Sequence, residues 1–239
     1  MMSTSTRINK YLAEHGYSTR RGADTLIAEG KVTINGRVAK LGDRVAEGAN
    51  VEVRGHDTKA FVYLAYYKPR GVVTHGAQGD EKEIKDLLAR THPELEVFPV
   101  GRLDKNSHGL ILLTNDGRIV EPLLSPEHTH EKEYRVTVNE RLRADFAELM
   151  SKGVDIGDYL TKPCTVKRLD KHTFTIILTE GKNHQIKRMA SALGYTVRDL
   201  KRTRIMHIRL RRMRPGTFRY IKGEELMILL QSLGIVSDS

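Results

Sequence analysis

Gly101-Arg102-Leu103-Asp104-Lys105-Asn106-Ser107-His108-Gly109-Leu110-Ile111-Leu112-Leu113-Thr114-Asn115-Asp116-Gly117 is the stretch on which the reading of this chain turns. An acidic residue stands between an apolar approach (Val97, Phe98, Val100, Leu103) and an unbroken apolar run, Leu110 to Leu113. That run reads as a buried strand, and Pro99, just before the motif, predicts a bulge or a sheet edge because proline has no N–H to give a ladder. Asp104 therefore belongs to a loop whose two ends are anchored in a core, with Arg102 near enough to influence its charge. A rigidly mounted carboxylate beside a cation suits catalysis. The same residues also read as ordinary turn chemistry, since Asx and Ser side chains bond to their own backbone and glycine accepts positive φ.

The 239 residues suffice for one large domain, or for a small and a medium one, with room for a proper core. With 39% hydrophobic and 29% charged residues, the composition is that of a soluble globular protein. No stretch reaches the length of a membrane span, and the opening Met-Met-Ser-Thr-Ser-Thr-Arg has no apolar signal core, so a cytoplasmic location is expected. The single cysteine, Cys164, fits a reducing compartment and excludes a zinc ribbon. The ten histidines show no metal-ligand spacing, so neither metal nor cofactor is expected.

A net charge of +10 invites a polyanion, and its distribution is more telling than its total. Residues 182–214 hold eleven Lys or Arg against one acid, Asp199, whereas residues 55–181 hold eighteen bases against twenty acids. Residues 7–54 hold nine bases and six acids. Two basic regions far apart in sequence can grip one extended nucleic acid.

Along the chain, residues 1–6 are expected to be disordered. Ile8, Tyr11 and Leu12 suit a short helix stopped by Gly16. A second helix, with Ser18 as N-cap, carries Ala23, Leu26 and Ile27 to Gly30. Val32 and Ile34 lead into an Asn35-Gly36 hairpin turn and back through Val38, and Val51 to Val53 adds a strand. A core this small suits a binding head rather than an enzyme. Residues 55–60 form a polar linker, and the remainder, 61–239, reads as a second domain. There we expect a strand over 61–67 with a continuation at 72–74, and helices over 84–90, 118–124 and 141–152. Strands are expected at 131–138, 159–169 and 173–179, then a helix over 186–193, a basic strand over 196–210 and a closing helix over 224–233. Tyr134, Val136 and Val138 share one strand face, which turns the tyrosine inward.

An N-terminal module and three later motifs carry a resemblance. Arg7-Ile8-Asn9-Lys10-Tyr11-Leu12, Ser18-Thr19-Arg20-Arg21 and Val32-Thr33-Ile34-Asn35-Gly36 resemble the S4 RNA-binding domain. Lys68-Pro69-Arg70-Gly71-Val72-Val73-Thr74, the Gly101 to Gly117 stretch, and Gly181-Lys182-Asn183-His184-Gln185-Ile186-Lys187-Arg188 resemble, in that order, the motifs of the RsuA-type pseudouridine synthases. Glu131-Lys132-Glu133-Tyr134 and Arg202-Thr203-Arg204-Ile205-Met206 look most like the RluF branch, which acts on 23S ribosomal RNA. The resemblance implies an α+β protein, a small S4-like head (7–54) plus a larger catalytic domain with a mixed, largely antiparallel sheet and flanking helices.

It further implies isomerisation of uridine to pseudouridine without cofactor, on a base flipped out of folded RNA. Asp104 would be the essential carboxylate, attacking the sugar carbon or removing a sugar proton, with its charged form favoured by Arg102 or Lys187. Tyr134 would stack on the uracil. The family more often has arginine at the position of Lys187; lysine keeps the charge but loses the two-pronged fork, so Arg188 stays open as the partner instead. RNA contacts are expected from Arg7, Lys10, Arg20, Arg21, Lys68, Arg70, Lys105, His184, Gln185, Arg188, Arg202 and Arg204. The expected partner is RNA: ribosomal RNA, tRNA or an assembling large-subunit particle, met by a monomer with no membrane contact. The competing readings are an inactive RNA-binding assembly factor, which would have no need of Asp104, and the same chemistry on 16S ribosomal RNA or tRNA. An RNA hydrolase would call for a metal cluster or a histidine pair that the sequence lacks.

Overall fold

The computed structural model describes residues 5–18, 20–55 and 60–235, without the side chain of Arg21. The N-terminal unit opens with β1 (Thr6–Arg7), α1 (Ile8–Glu14) and α2 (Arg20–Ala28). It continues through β2 (Val32–Ile34), β3 (Arg37–Val38), β4 (Arg44–Val45) and β5 (Val51–Val53). Strand β2 pairs antiparallel with both β3 and β5, and β1 pairs with β4. Asn35 and Gly36 both take positive φ, as a tight hairpin turn requires. Ile8, Leu12, Ala23, Leu26, Ile27, Val32, Ile34 and Val45 form the core between the helices and the sheet. Thr6 belongs to a strand, where the sequence suggested disorder. Residues 1–4, the Thr19 that follows the expected cap, and linker residues 56–59 lie outside the described residues.

The second unit begins with β6 (Tyr63–Lys68), α3 (Ile84–Thr91), β7 (Phe98–Val100), β8 (His108–Thr114) and α4 (Val120–Leu124). Next come β9 (Lys132–Val138), α5 (Phe146–Ser151), β10 (Thr165–Arg168), β11 (Thr173–Leu178) and α6 (Gln185–Ala192). It closes with β12 (Val197–Ile205), β13 (Ile208–Arg209), β14 (Phe218–Tyr220) and α7 (Gly223–Ser232). The strands form a nine-stranded sheet in the order β10-β11-β9-β12-β8-β6-β14, with β13 on β12 and β7 on β8. Only β12 and β8 run parallel, through Lys201 opposite His108 and Arg202 opposite Gly109. This is the mixed, mainly antiparallel sheet that was expected.

The β8 side chains from Leu110 to Leu113 are all buried and alternate between two cores. Leu110 and Leu112 join Tyr67, Val100 and the α7 leucines, while Ile111 and Leu113 join Leu64, Ile84 and Leu88. A run apolar on both sides is what a strand covered on both faces needs. Pro99 lies in β7, which bonds only to β8, so its missing N–H faces away from any neighbour.

Several expectations shorten. The strand expected from 61 begins at Tyr63, and residues 72–74 make only an isolated bridge, Val73 to Glu83. Helix α5 covers Phe146–Ser151 rather than 141–152, and β10 covers Thr165–Arg168 rather than 159–169. The basic strand breaks at Met206, where φ is +50°, and folds back as β13. Alternation of Met206, Ile208 and Leu210 cannot reveal that reversal, because both arms of a hairpin keep the same period.

Candidate active-site cleft

Asp104 sits in the loop between β7 and β8, and that loop is tied down from three sides. Thr74 Oγ1 donates to the Leu103 carbonyl at 2.8 Å and accepts from its N–H at 3.1 Å. The Gly71 N–H donates to the Lys105 carbonyl at 2.8 Å, and the Ser107 N–H to that of Asp104 at 3.0 Å. Beneath them the fully buried Lys68 ammonium donates to Pro69 O (3.0 Å), Val72 O (2.6 Å) and Lys105 O (3.3 Å). Burial pushes its pKa down to about 8, against the pull of Asp104 and with a further push from Arg202. Gly109 permits the loop to close: its φ is +108°, and a Cβ there would lie 2.3 Å from Arg202 O.

The facing wall is the start of α6. His184 adopts a left-handed conformation just before the helix and brings Nε2 to 3.4 Å from Asp104 Oδ1. Lys187, three residues later and so near the same helical face, places Nζ 2.9 Å from Asp104 Oδ2. The Asp104 side chain keeps 34% of its surface exposed, which leaves the carboxylate reachable from the cleft. Arg188 points elsewhere, donating to Ile156 O at 2.6 Å and pairing with Asp158.

The cleft has a volume of about 740 Å³. Its floor includes Lys132 and Tyr134 from β9, with Arg202 of β12 in register opposite Tyr134. Two acidic residues line it, Asp104 and Glu180. Glu180 is buried and occupied, accepting from Tyr159 Oη (2.8 Å), the Lys162 N–H (3.0 Å) and Gln185 Nε2 (2.7 Å). Asp104 is thus the carboxylate open to a molecule in the cleft.

The RNA-contact expectations divide. Arg7, Lys10 and Arg20 are exposed on the N-terminal unit, and Lys10 pairs loosely with Glu14 at 3.5 Å. Arg102, expected with Lys187 to favour the charged form of Asp104, is exposed at the cleft and makes no ion pair with it, whereas Lys187 does. His184 is 55% exposed. Lys105 is exposed but bonded to Glu81 at 2.8 Å, and Arg70 pairs with Asp199. Lys68, Gln185 and Arg202 are corrections: all three are buried and cannot meet a phosphate from the surface. Gln185 holds Glu180 and the Lys182 N–H, while Arg202 donates to Leu110 O (2.6 Å) and Arg102 O (3.4 Å). Arg204 is also corrected, since Glu131 and Glu133 neutralise it at 2.9 and 3.1 Å. Sequence reasoning missed Thr74, Ser107, Lys132, Tyr159 and Glu180. Thr74, Ser107 and Lys132 stand inside quoted motifs and Glu180 adjoins one, so their position could have flagged them, whereas nothing in the sequence around Tyr159 does.

Among the described residues no three His, Cys, Asp or Glu side chains gather as a metal site, and no helix is long and apolar enough to cross a membrane.

A sequence model of the RNA pseudouridylate synthase family matches residues 62–192, and one of the S4 domain matches residues 6–51. The dual-specificity RNA pseudouridine synthase RluF of Salmonella typhi is 40% identical over 236 residues, spanning 97% of this chain and 81% of that protein. An uncharacterized RNA pseudouridine synthase of Aquifex aeolicus is 36% identical over 238 residues, 96% of this chain and 95% of its own. A crystal structure of a pseudouridylate synthase superposes with a TM-score of 0.68 at 29% identity, over 94% of this chain and all of the other.

Proposed function

Because this chain belongs to the RNA pseudouridylate synthase family, and so is an RNA-binding isomerase of uridine, we propose that it converts a specific uridine of 23S ribosomal RNA with Asp104 as the essential carboxylate. The observation that carries the assignment is the state of the two acids in the cleft. Glu180 is saturated by three donors, whereas Asp104 is held by its backbone and by Lys187 with its carboxylate still accessible.

A uridine stacked in folded RNA cannot bring its sugar to a carboxylate that lines a cleft, so the nucleotide is extruded into it, at an unstacking cost of about a few kcal/mol. Tyr134 offers its ring to the base. Asp104 then acts on the sugar, at its anomeric carbon or at a neighbouring proton, and the base leaves N1, turns and rejoins through C5. No electrons enter or leave, and the groups needed are all side chains. Lys187 orients Asp104 from a helix anchored by Ile186, Met189 and Ala190, which are buried. The N-terminal unit (7–54) holds RNA through Arg7, Lys10, Arg20 and Arg21, with Arg102 and His184 meeting the backbone at the cleft and Lys105 beside it. The protein acts as a cytoplasmic monomer.

Pseudouridine mapping of total RNA tests this, using cells with the gene intact, deleted, or restored as Asp104→Asn. At least one 23S site should vanish on deletion and return only with the unmutated gene, while purified Asp104→Asn protein still binds the RNA. A map unchanged by deletion would count against the enzyme reading.

A further inference from the structure

Lys132 is a half-buried ammonium on the cleft floor with no carboxylate partner among the described residues. Its Nζ donates to the His130 carbonyl at 3.2 Å. It shares a strand face with Tyr134, two residues and roughly 7 Å further along β9, and both line the cleft. The neighbouring acids Glu131 and Glu133 are engaged with Arg204. Burial, then the nearby Arg202, lower its pKa, which marks a cation short of both water and counter-charge.

Most of the other cations around the cleft are committed or peripheral. Lys187 holds Asp104 and Lys68 is enclosed by three carbonyls, while Arg202 is bound through Nε to Leu110 O and through Nη1 to Arg102 O, its Nη2 left without a partner but nearly closed off from solvent. Lys182 lies 4.3 Å over the Tyr159 ring, and Arg102 and Lys162 are exposed at the rim. A half-dehydrated ammonium without an anion is unfavourable in the free protein. It gains most from negative charge that arises beside it during reaction.

Building on the functional reading above, we propose that Lys132 is a further catalytic residue, the cation that stabilises the uracil as it leaves the sugar. When the C1′–N1 bond breaks, its electron pair departs with the base and spreads over N1 and the two carbonyl oxygens. Lys132 donates a hydrogen bond to one of those oxygens and keeps its own proton. The pair returns to the sugar as the C1′–C5 bond forms. C5 then loses its proton and N1 gains one, so no atom or electron is gained or lost overall. This holds whichever way Asp104 acts, because the base departs with the bonding pair in both cases. A phosphate is the poorer occupant, since it lies outside the base and stays hydrated, whereas Lys132 is half-buried and lines the same cleft, on the same strand face, as the tyrosine expected to meet the base.

The test varies the leaving group. A hairpin RNA carrying the mapped target as uridine or as 5-fluorouridine is turned over once by the full-length protein, by Lys132→Met and by Lys132→Arg. Cleavage of the N1 bond is followed by mass spectrometry of the digested RNA. Fluorine makes the departing base a better anion and lessens its need for a cation. Lys132→Met should slow uridine roughly 100-fold but 5-fluorouridine only about tenfold, with Lys132→Arg near the parent on both. RNA affinity and thermal unfolding should stay close to those of the parent. An equal loss on both substrates, or a loss confined to affinity, would overturn the assignment. An unmodified protein inactive on the RNA would instead remove the functional reading on which it rests.

Discussion

Lys187 Nζ lies 2.9 Å from Asp104 Oδ2 although 83 residues separate the two. The contact joins a loop pinned between β7 and β8 to the first turn of α6, and so links two motifs that sequence alone leaves independent. If Lys187 orients the carboxylate, Lys187→Met should lower single-turnover conversion by roughly 100- to 1000-fold. Lys187→Arg should retain most of the rate, because charge and reach are kept. RNA affinity should change little in either variant, as measured by filter binding. A loss of affinity without a loss of rate on bound RNA would contradict the orienting role.

Gly109 should tolerate no side chain. Its φ of +108° and the 2.3 Å approach of a Cβ to the Arg202 carbonyl bring strain and a backbone clash together. Gly109→Ala should cost about 3 kcal/mol or more in urea unfolding. Gly117→Ala, where nothing lies within 4 Å of the added carbon and φ is not positive, serves as the near-neutral comparison.

Acid should weaken the protein through His108. Burial, followed by Arg70, Lys201 and Lys68, lowers its pKa to about 4 from the ordinary 6.5. Asp199 is 2.8 Å away but is itself engaged by Arg70, so it does not offset those cations. Between pH 6.5 and 4 the unfolded chain takes up a proton that the folded one refuses, so stability falls as the pH is lowered through that window. The cost is about 3 kcal/mol at its lower end. His108→Gln should flatten this limb in denaturant titrations. An unchanged limb would mean that the imidazole is charged in the fold.

The N-terminal unit should reveal itself through salt. Arg20 is exposed in the first turn of α2, and a phosphate contact there releases counterions. Arg20→Ala should weaken RNA binding and reduce the slope of log K against log salt by about one. The rate on saturating RNA should be unchanged.

Local rules account for much of the architecture. The apolar run Leu110–Leu113 predicts β8, Asn35-Gly36 predicts its hairpin, and Pro99 predicts an outer strand, because each depends on steric and hydrogen-bonding properties a residue carries with it. Errors gather where a period continues through a change of direction, as at Met206, or where a segment is extended without a bonding partner, as at 72–74.

The amino-acid sequence by itself determined the order of the motifs, the family they belong to and the presence of an anchored carboxylate at position 104. Tertiary structure decided which basic residue meets it. Neighbours on a helix point about 100° apart, so Lys187 and Arg188 cannot both face Asp104, and Arg188 turns to Ile156 and Asp158. It also decided that Lys68 and Arg202, basic residues that read as surface, lie buried. The physical reason is that a cation is buried where carbonyls replace its water, and whether the fold brings such carbonyls around it is not written in the local sequence. Pro69, Val72 and Lys105 do so for Lys68, and Leu110 and Arg102 for Arg202.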